Sequence, residues 1–213
     1  MLNILYDDKY ICVCIKPSGI LSTDEPGGMP ELLRIQLGCR DIHTVHRLDR
    51  VVGGLMVFAK SRESASALGK QITDGTFEKE YFAVVHGHPE DTYGRFDDLL
   101  FRDTFKGMTY PVKRMRKGVR EASLLYEVLG DAEDYSKVRV HLLTGRTHQI
   151  RVQFSSRQMP IYGDKKYGAA SDEGNIALYS AYLSFNHPVT VDHLEFSSEP
   201  PETYPWNIFK GDN

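Results

Sequence analysis

Two stretches of this sequence concentrate side chains able to attack carbon, move protons or hold anions. The first, His46-Arg47-Leu48-Asp49-Arg50, sets one carboxylate among cations just ahead of Gly53-Gly54 and an apolar run. A carboxylate at the edge of a rigid strand, beside glycines that let another backbone approach, is well placed to act on a ligand. The same five residues also suit a structural ion pair, because arginines beside an aspartate commonly make one. The second stretch, Thr144-Gly145-Arg146-Thr147-His148-Gln149-Ile150-Arg151, is followed by Pro160-Ile161-Tyr162-Gly163-Asp164-Lys165-Lys166-Tyr167-Gly168. Between the two lies Lys79-Glu80-Tyr81-Phe82-Ala83-Val84-Val85-His86-Gly87, where Tyr81 taken alone reads as a core aromatic of a strand. His43, His46 and Asp49 have a spacing that zinc tolerates, His-x-x-His with a nearby carboxylate. No further ligands complete a recognisable metal motif.

These side chains need rigid elements to hold them. Residues 10–15 are apolar and β-branched enough for a strand, ending at Lys16-Pro17-Ser18-Gly19, where proline and glycine force a turn. Pro30 opens a short helix that Gly38 closes. The continuous apolar run 54–59 is a buried strand by its length. Ser61 caps a helix reaching to about Thr73, with Ala65, Leu68 and Ile72 at helical spacing. Further strands are expected at 81–86, 124–129, 138–143, 177–185 and 191–196, and a helix at 148–155, with Ile150 and Phe154 four apart. Helices fall between strands without regular alternation. The expectation is therefore an α+β protein with a largely antiparallel mixed sheet, flanked by helices and loops.

Size and composition agree with one globular domain spanning residues 1–213, because 41% apolar and 26% charged residues are ordinary for a folded chain. No apolar run approaches the length a membrane helix needs, and the N-terminus lacks the layout of a secretory signal. A cytoplasmic protein without membrane attachment is expected. Cys12 and Cys14, two apart in an apolar run, read as buried free thiols on one strand face, with Cys39 the odd third. The net charge of −3 excludes a general nucleic-acid coat. Its distribution is uneven, however. Residues 102–120 hold Arg102, Lys106, Lys113, Arg114, Arg116, Lys117 and Arg120 against the single acid Asp103, which reads as a solvated loop or as a ridge gripping a polyanion on one side.

Taken in order, the three motif segments resemble the RluA-type family of RNA pseudouridine synthases. That family's pattern is His-Arg-Leu-Asp ahead of a Gly-Leu strand, then Lys-x-Tyr, then Thr-Gly-Arg-x-His-Gln-[IL]-Arg. Weaker echoes are Lys16-Pro17-Ser18-Gly19 and Gly118-Val119-Arg120-Glu121-Ala122-Ser123, so the similarity covers roughly residues 4–196. Val51-Val52-Gly53-Gly54 departs from the family's Thr-Ser-Gly-like stretch, and Gln153 and Met159 stand where histidines are common. The resemblance implies the pseudouridine synthase catalytic fold, with isomerisation of uridines in ribosomal or transfer RNA and no cofactor or metal.

By the same resemblance Asp49 is the nucleophile, Arg151 the cation that keeps it charged, and Tyr81 the ring that stacks on the uracil. Arg47 fills the gap left by the extruded base. His46, Arg146 and Lys79 are further contacts to substrate, with His46 and Arg146 equally able to be satisfied inside the fold. Lys113, Arg114, Arg116 and Lys117 are the leading candidates for gripping RNA. Because the catalytic pattern begins almost at residue 1, a separate N-terminal RNA-binding domain is not expected, and a monomer is. The alternative is an RNA-binding module that keeps the fold without the catalysis.

Overall fold

The computed structural model describes residues 1–169 and 172–209. In chain order the elements are β1 (Asn3–Asp7), β2 (Ile11–Lys16), α1 (Met29–Leu37), β3 (His43–Thr44), β4 (Gly53–Ala59), α2 (Arg62–Asp74), β5 (Glu78–His86), β6 (Tyr93–Asp103), β7 (Met108–Val112), β8 (Val119–Ala132), β9 (Tyr135–Leu142), α3 (Gln149–Ser155), β10 (Leu178–Asn186) and β11 (His193–Ser197). A short 3-10 turn, Trp206–Phe209, follows. The chain divides into two compact units, one of Met1–Lys79 with Tyr179–Pro200, the other of Glu80–Leu178 with 201–209.

The first unit is organised around β4, all seven residues of which are buried. A strand without a polar face must be covered on both sides. β2 runs antiparallel to it with Ile11 opposite Ala59, and β10 runs parallel with Ser180 opposite Gly54. β1 extends the β2 side and β11 the β10 side, both antiparallel. Ile11, Val13, Leu55, Val57, Leu68, Phe77, Leu183 and Phe185 form the core, with Ala65 and Ile72 of α2 packed against it. α2 starts where expected, because the Ser61 side chain accepts from the Ser64 N–H, and it ends at Gly75 in the left-handed conformation. Cys12 and Cys14 are both fully buried free thiols, and a hydrogen bond with Cys12 together with burial pushes the Cys14 thiol up, away from reactivity.

Gly54 shows why glycine is required here. Its φ is +116°, and a Cβ would lie 2.3 Å from the Ser180 carbonyl oxygen and 2.5 Å from its nitrogen. Backbone cannot yield as a flexible side chain does. Gly54→Ala is expected to cost about 2–5 kcal/mol, combining the strained φ with the clash. A urea unfolding curve overlaying that of the wild type would contradict the β4–β10 register.

The second unit is an antiparallel sheet ordered β5-β9-β8-β6-β7. Tyr81 lies opposite Val140, which in turn lies opposite Tyr126. α3 lays Val152 against Leu100, Ala122 and Tyr167, while Phe154 meets Phe96 and Tyr126 edge-on. The basic stretch 102–120 is not a loop from end to end: it comprises the end of β6, all of β7 and the start of β8, with Lys113, Arg114, Arg116 and Lys117 exposed between β7 and β8. Residues 93–103 escaped detection because Asp97-Asp98 and Leu99-Leu100-Phe101 break the period-two pattern. Pro111 obscured β7, although proline is tolerated on an edge strand such as this. The helix expected from His148 begins at Gln149 instead, with His148 itself left-handed at φ 57°.

Candidate active site

Asp49 sits, partly exposed, in the loop between β3 and β4, and its backbone is tied down from the segment after β2. Ser22 clamps Leu48 at both polar groups: its hydroxyl donates to the Leu48 carbonyl at 2.8 Å and accepts from the Leu48 N–H at 3.1 Å. Ser18 donates to the Val51 carbonyl at 2.6 Å, and the Gly19 N–H donates to the Arg50 carbonyl at 2.8 Å. Lys16 completes the clamp. It is fully buried, and its ammonium donates to the carbonyls of Pro17, Ile20 and Arg50 at 2.8, 2.7 and 3.2 Å. Burial pushes its pKa down to about 8, opposed by the nearby Asp49 charge, so it keeps its proton at neutral pH. The carboxylate is thus carried on a loop with little freedom to wander, which is what a positioned nucleophile needs.

Arg151, in α3, is 5% exposed and bound to Asp164 along one edge: Nε to Oδ2 and Nη2 to Oδ1, each 2.7 Å. Parallel bonds from a planar fork fix direction as well as charge. Asp164, itself buried, also accepts from the Lys166 N–H at 3.2 Å, within a turn that Gly163 makes at φ 72°. Sequence reasoning passed over both Lys16 and Asp164. Lys16 was visible as part of a turn and of a weak family echo, with no role attached to its side chain. Asp164 stood in a quoted segment, but nothing local says that a carboxylate thirteen residues on will meet Arg151.

The remaining candidates divide between the two units. In the first, Arg47 is exposed beside Asp49. His46 points inward: it is 8% exposed, its Nε2 accepts from the Val57 N–H at 3.2 Å, and its ring packs 5.5 Å from Phe77. Burial, helped by the charge of Lys79, pushes its pKa down to about 3. A neutral, enclosed imidazole orders the loop from within, the second of the two readings the sequence left open. Lys79 is half-buried over the Phe77 ring, and desolvation lowers its pKa. His43, His46 and Asp49 do not form a ligand set, as among the described residues no group of three or more His, Cys, Asp or Glu could hold a metal ion.

In the second unit Tyr81 is buried in β5, and Arg146 is exposed with its Nε donating to the Glu121 carbonyl at 2.8 Å. Arg116 lies with its guanidinium carbon 4.9 Å from the centre of the Phe101 ring. Among the described residues, no helix is long and apolar enough to cross a membrane.

Residues 10–156 match the protein family described as RNA pseudouridylate synthase. An uncharacterised RNA pseudouridine synthase of Bacillus subtilis is 33% identical over 214 residues, spanning 94% of this chain and 70% of that protein. The dual-specificity RNA pseudouridine synthase RluA of Haemophilus influenzae is 31% identical over 208 residues and 93% of each chain. RluA of Vibrio parahaemolyticus is 36% identical over 205 residues, 87% of this chain and 78% of its own. Among solved structures, human RNA pseudouridylate synthase domain containing 1 superposes with a TM-score of 0.79 at 23% identity, over 95% of this chain and 85% of that one. Its relative, domain containing 4, gives 0.77 at 22% identity over 93% and 88%. At such identities the structural likeness speaks for the fold alone.

Proposed function

Since this chain belongs to the RNA pseudouridylate synthase family, we propose that it isomerises specific uridines of ribosomal or transfer RNA to pseudouridine, with Asp49 as nucleophile. The observation that carries this reading is the Asp49 loop, whose backbone is held by Lys16, Ser18, Gly19 and Ser22 while the carboxylate stays partly exposed. A surface aspartate of no consequence has no need of a fully buried lysine beneath it.

The reaction rearranges atoms without adding any, so it requires no cofactor. The carboxylate attacks the base or the sugar, and the bond between nitrogen 1 and the ribose breaks. The freed uracil turns, carbon 5 joins the ribose, the bond made to Asp49 breaks to return the carboxylate, and the proton leaving carbon 5 is balanced by one gained at nitrogen 1. In this reading Arg151 supplies the cation that keeps Asp49 charged, and the two bonds from Asp164 hold its fork. Tyr81 stacks on the uracil and assists removal of the carbon 5 proton. A stacked uridine must first leave its helix at a cost of about a few kcal/mol, and exposed Arg47 fills the gap by stacking where the base stood. The bacterial relatives fit a cytoplasmic enzyme, and nothing in this scheme requires a second copy of the chain.

The direct test is tritium release from ribosomal and transfer RNA carrying uridine tritiated at carbon 5, prepared from a strain lacking this gene. One tritium is expected per modified site, and mapping pseudouridines in that strain identifies which uridine it is. RNA retained on a filter with no tritium released from any cellular RNA would favour a binding module that has kept only the fold.

Lys113, Arg114, Arg116 and Lys117, exposed between β7 and β8, are the proposed backbone contacts, with exposed Arg146 a further one. Exchanging those four for Ala is expected to weaken RNA binding and to flatten the plot of log affinity against log salt by about 3, near 0.7 per lost contact to a single strand. An unchanged slope in filter binding would show that this ridge faces away from the RNA.

A further inference from the structure

Tyr167 occupies a position that none of the motifs accounts for. The guanidinium carbon of Arg151 lies 5.1 Å from the centre of its ring. Its hydroxyl accepts from the Thr109 N–H in β7 at 2.8 Å, across 58 residues of sequence, and lies 2.7 Å from Nδ1 of His148, the residue before α3. Burial pushes the phenol above its ordinary range, and its hydroxyl is held between the Thr109 N–H and the His148 imidazole. Around it, Arg102 of β6 donates to the Gly107 carbonyl at 2.5 Å and reaches His148 Nδ1 at 3.5 Å, and the Thr109 hydroxyl donates to the Thr147 carbonyl at 2.9 Å. One side chain therefore joins the basic β6–β7 hairpin, the start of α3 and a buried guanidinium that lies over its ring.

Asp164 and Tyr167 constrain Arg151 in complementary ways. The two bonds to Asp164 set the direction of the fork within its own plane. Two bonds along one edge fix tilting about that edge less firmly than direction within the plane. The Tyr167 ring, with the guanidinium carbon 5.1 Å over it, opposes the tilt by attraction of the cation to its face, which strengthens where water is excluded. The hydroxyl then refers the plane to β7 and to His148, so that ring and helix cannot drift apart.

We propose that Tyr167 is a positioning residue for the isomerisation, its ring setting the tilt of Arg151 and its hydroxyl anchoring that ring to the β6–β7 hairpin. This rests on the placement of Arg151 at the reacting site. Misplacing a group by about 1 Å is enough to cost on the order of a hundredfold in rate, so the effect belongs in the chemical step and not in RNA affinity.

The experiment is single-turnover tritium release with enzyme in excess, at a temperature well below the melting midpoint of every variant, with filter binding in parallel. Tyr167→Phe keeps the ring and is expected to slow the reaction by roughly 3–10-fold; Tyr167→Leu, lacking it, by about 100-fold. RNA affinity stays within about twofold in both. In an Arg151→Lys background, Tyr167→Leu is expected to cost less than about threefold more, because both changes act on one arrangement. Equal losses with and without Arg151 overturn the proposal, as do losses confined to affinity. Should Tyr167→Leu fail to fold, Tyr167→Phe decides alone, and a wild-type rate rejects the role. Asp49→Asn is run alongside: activity surviving there refutes the nucleophile assignment and leaves the question of Tyr167 separate.

Discussion

Asp49→Asn is expected to reduce pseudouridine formation by at least about 10⁴-fold while leaving RNA binding within a few-fold of wild type, because an amide of the same shape cannot act as the nucleophile. The hydrogen bonds that hold this loop run to the backbone of Leu48, Arg50 and Val51 and do not depend on the carboxylate. Loss of activity should therefore come without loss of fold. The comparison to make is tritium release against filter binding on the same preparation, with circular dichroism as control. A variant retaining even a tenth of the wild-type rate would remove Asp49 from its role, and with it the mechanism.

Asp164→Ala is expected to produce the largest change in stability. It leaves the Arg151 guanidinium, 5% exposed, without two short hydrogen bonds and their counter-charge. Removing one partner of a buried ion pair costs about 3–5 kcal/mol. The solvated pair Arg34–Asp24 provides the contrast, since water readily replaces either partner and breaking it costs little. Urea unfolding of the two variants should separate them clearly. Similar midpoints for Asp24→Ala and Asp164→Ala would mean that the Arg151–Asp164 pair is not enclosed. Replacing both partners, as Arg151→Met with Asp164→Leu, is expected to restore much of the stability and none of the activity. That outcome would show the pair to be kept for its geometry and not for its contribution to folding.

Much of the local architecture could be read in advance because its causes are local. Ser61 as a cap, Pro30 and Gly38 bracketing α1, and the unbroken apolar run of β4 are signals a few residues long, and each produced the element expected. The pair Gly53-Gly54 suggested a close backbone neighbour, and Ser180 of β10 is that neighbour for Gly54. β6 and β7 were lost because acidic residues and a proline interrupt the alternation by which strands are recognised. His46 stayed open between two readings for a different reason. An imidazole is as content inside, accepting a backbone N–H, as outside against a phosphate, and residue type does not say which.

The sequence by itself determined the chemistry on offer: a carboxylate at position 49, a tyrosine at 81 and arginines at 47 and 151, set in ordered motifs that name a family. Tertiary structure alone decided what holds them. Lys16 reaches Arg50, Ser22 reaches Leu48, Arg151 meets Asp164 and Tyr167 meets Thr109, across 34, 26, 13 and 58 residues. Side-chain periodicity tells which face of an element is buried. Which partner waits on the other side depends on strand register and turn geometry, and these are settled only when every pairing in the sheet is made together.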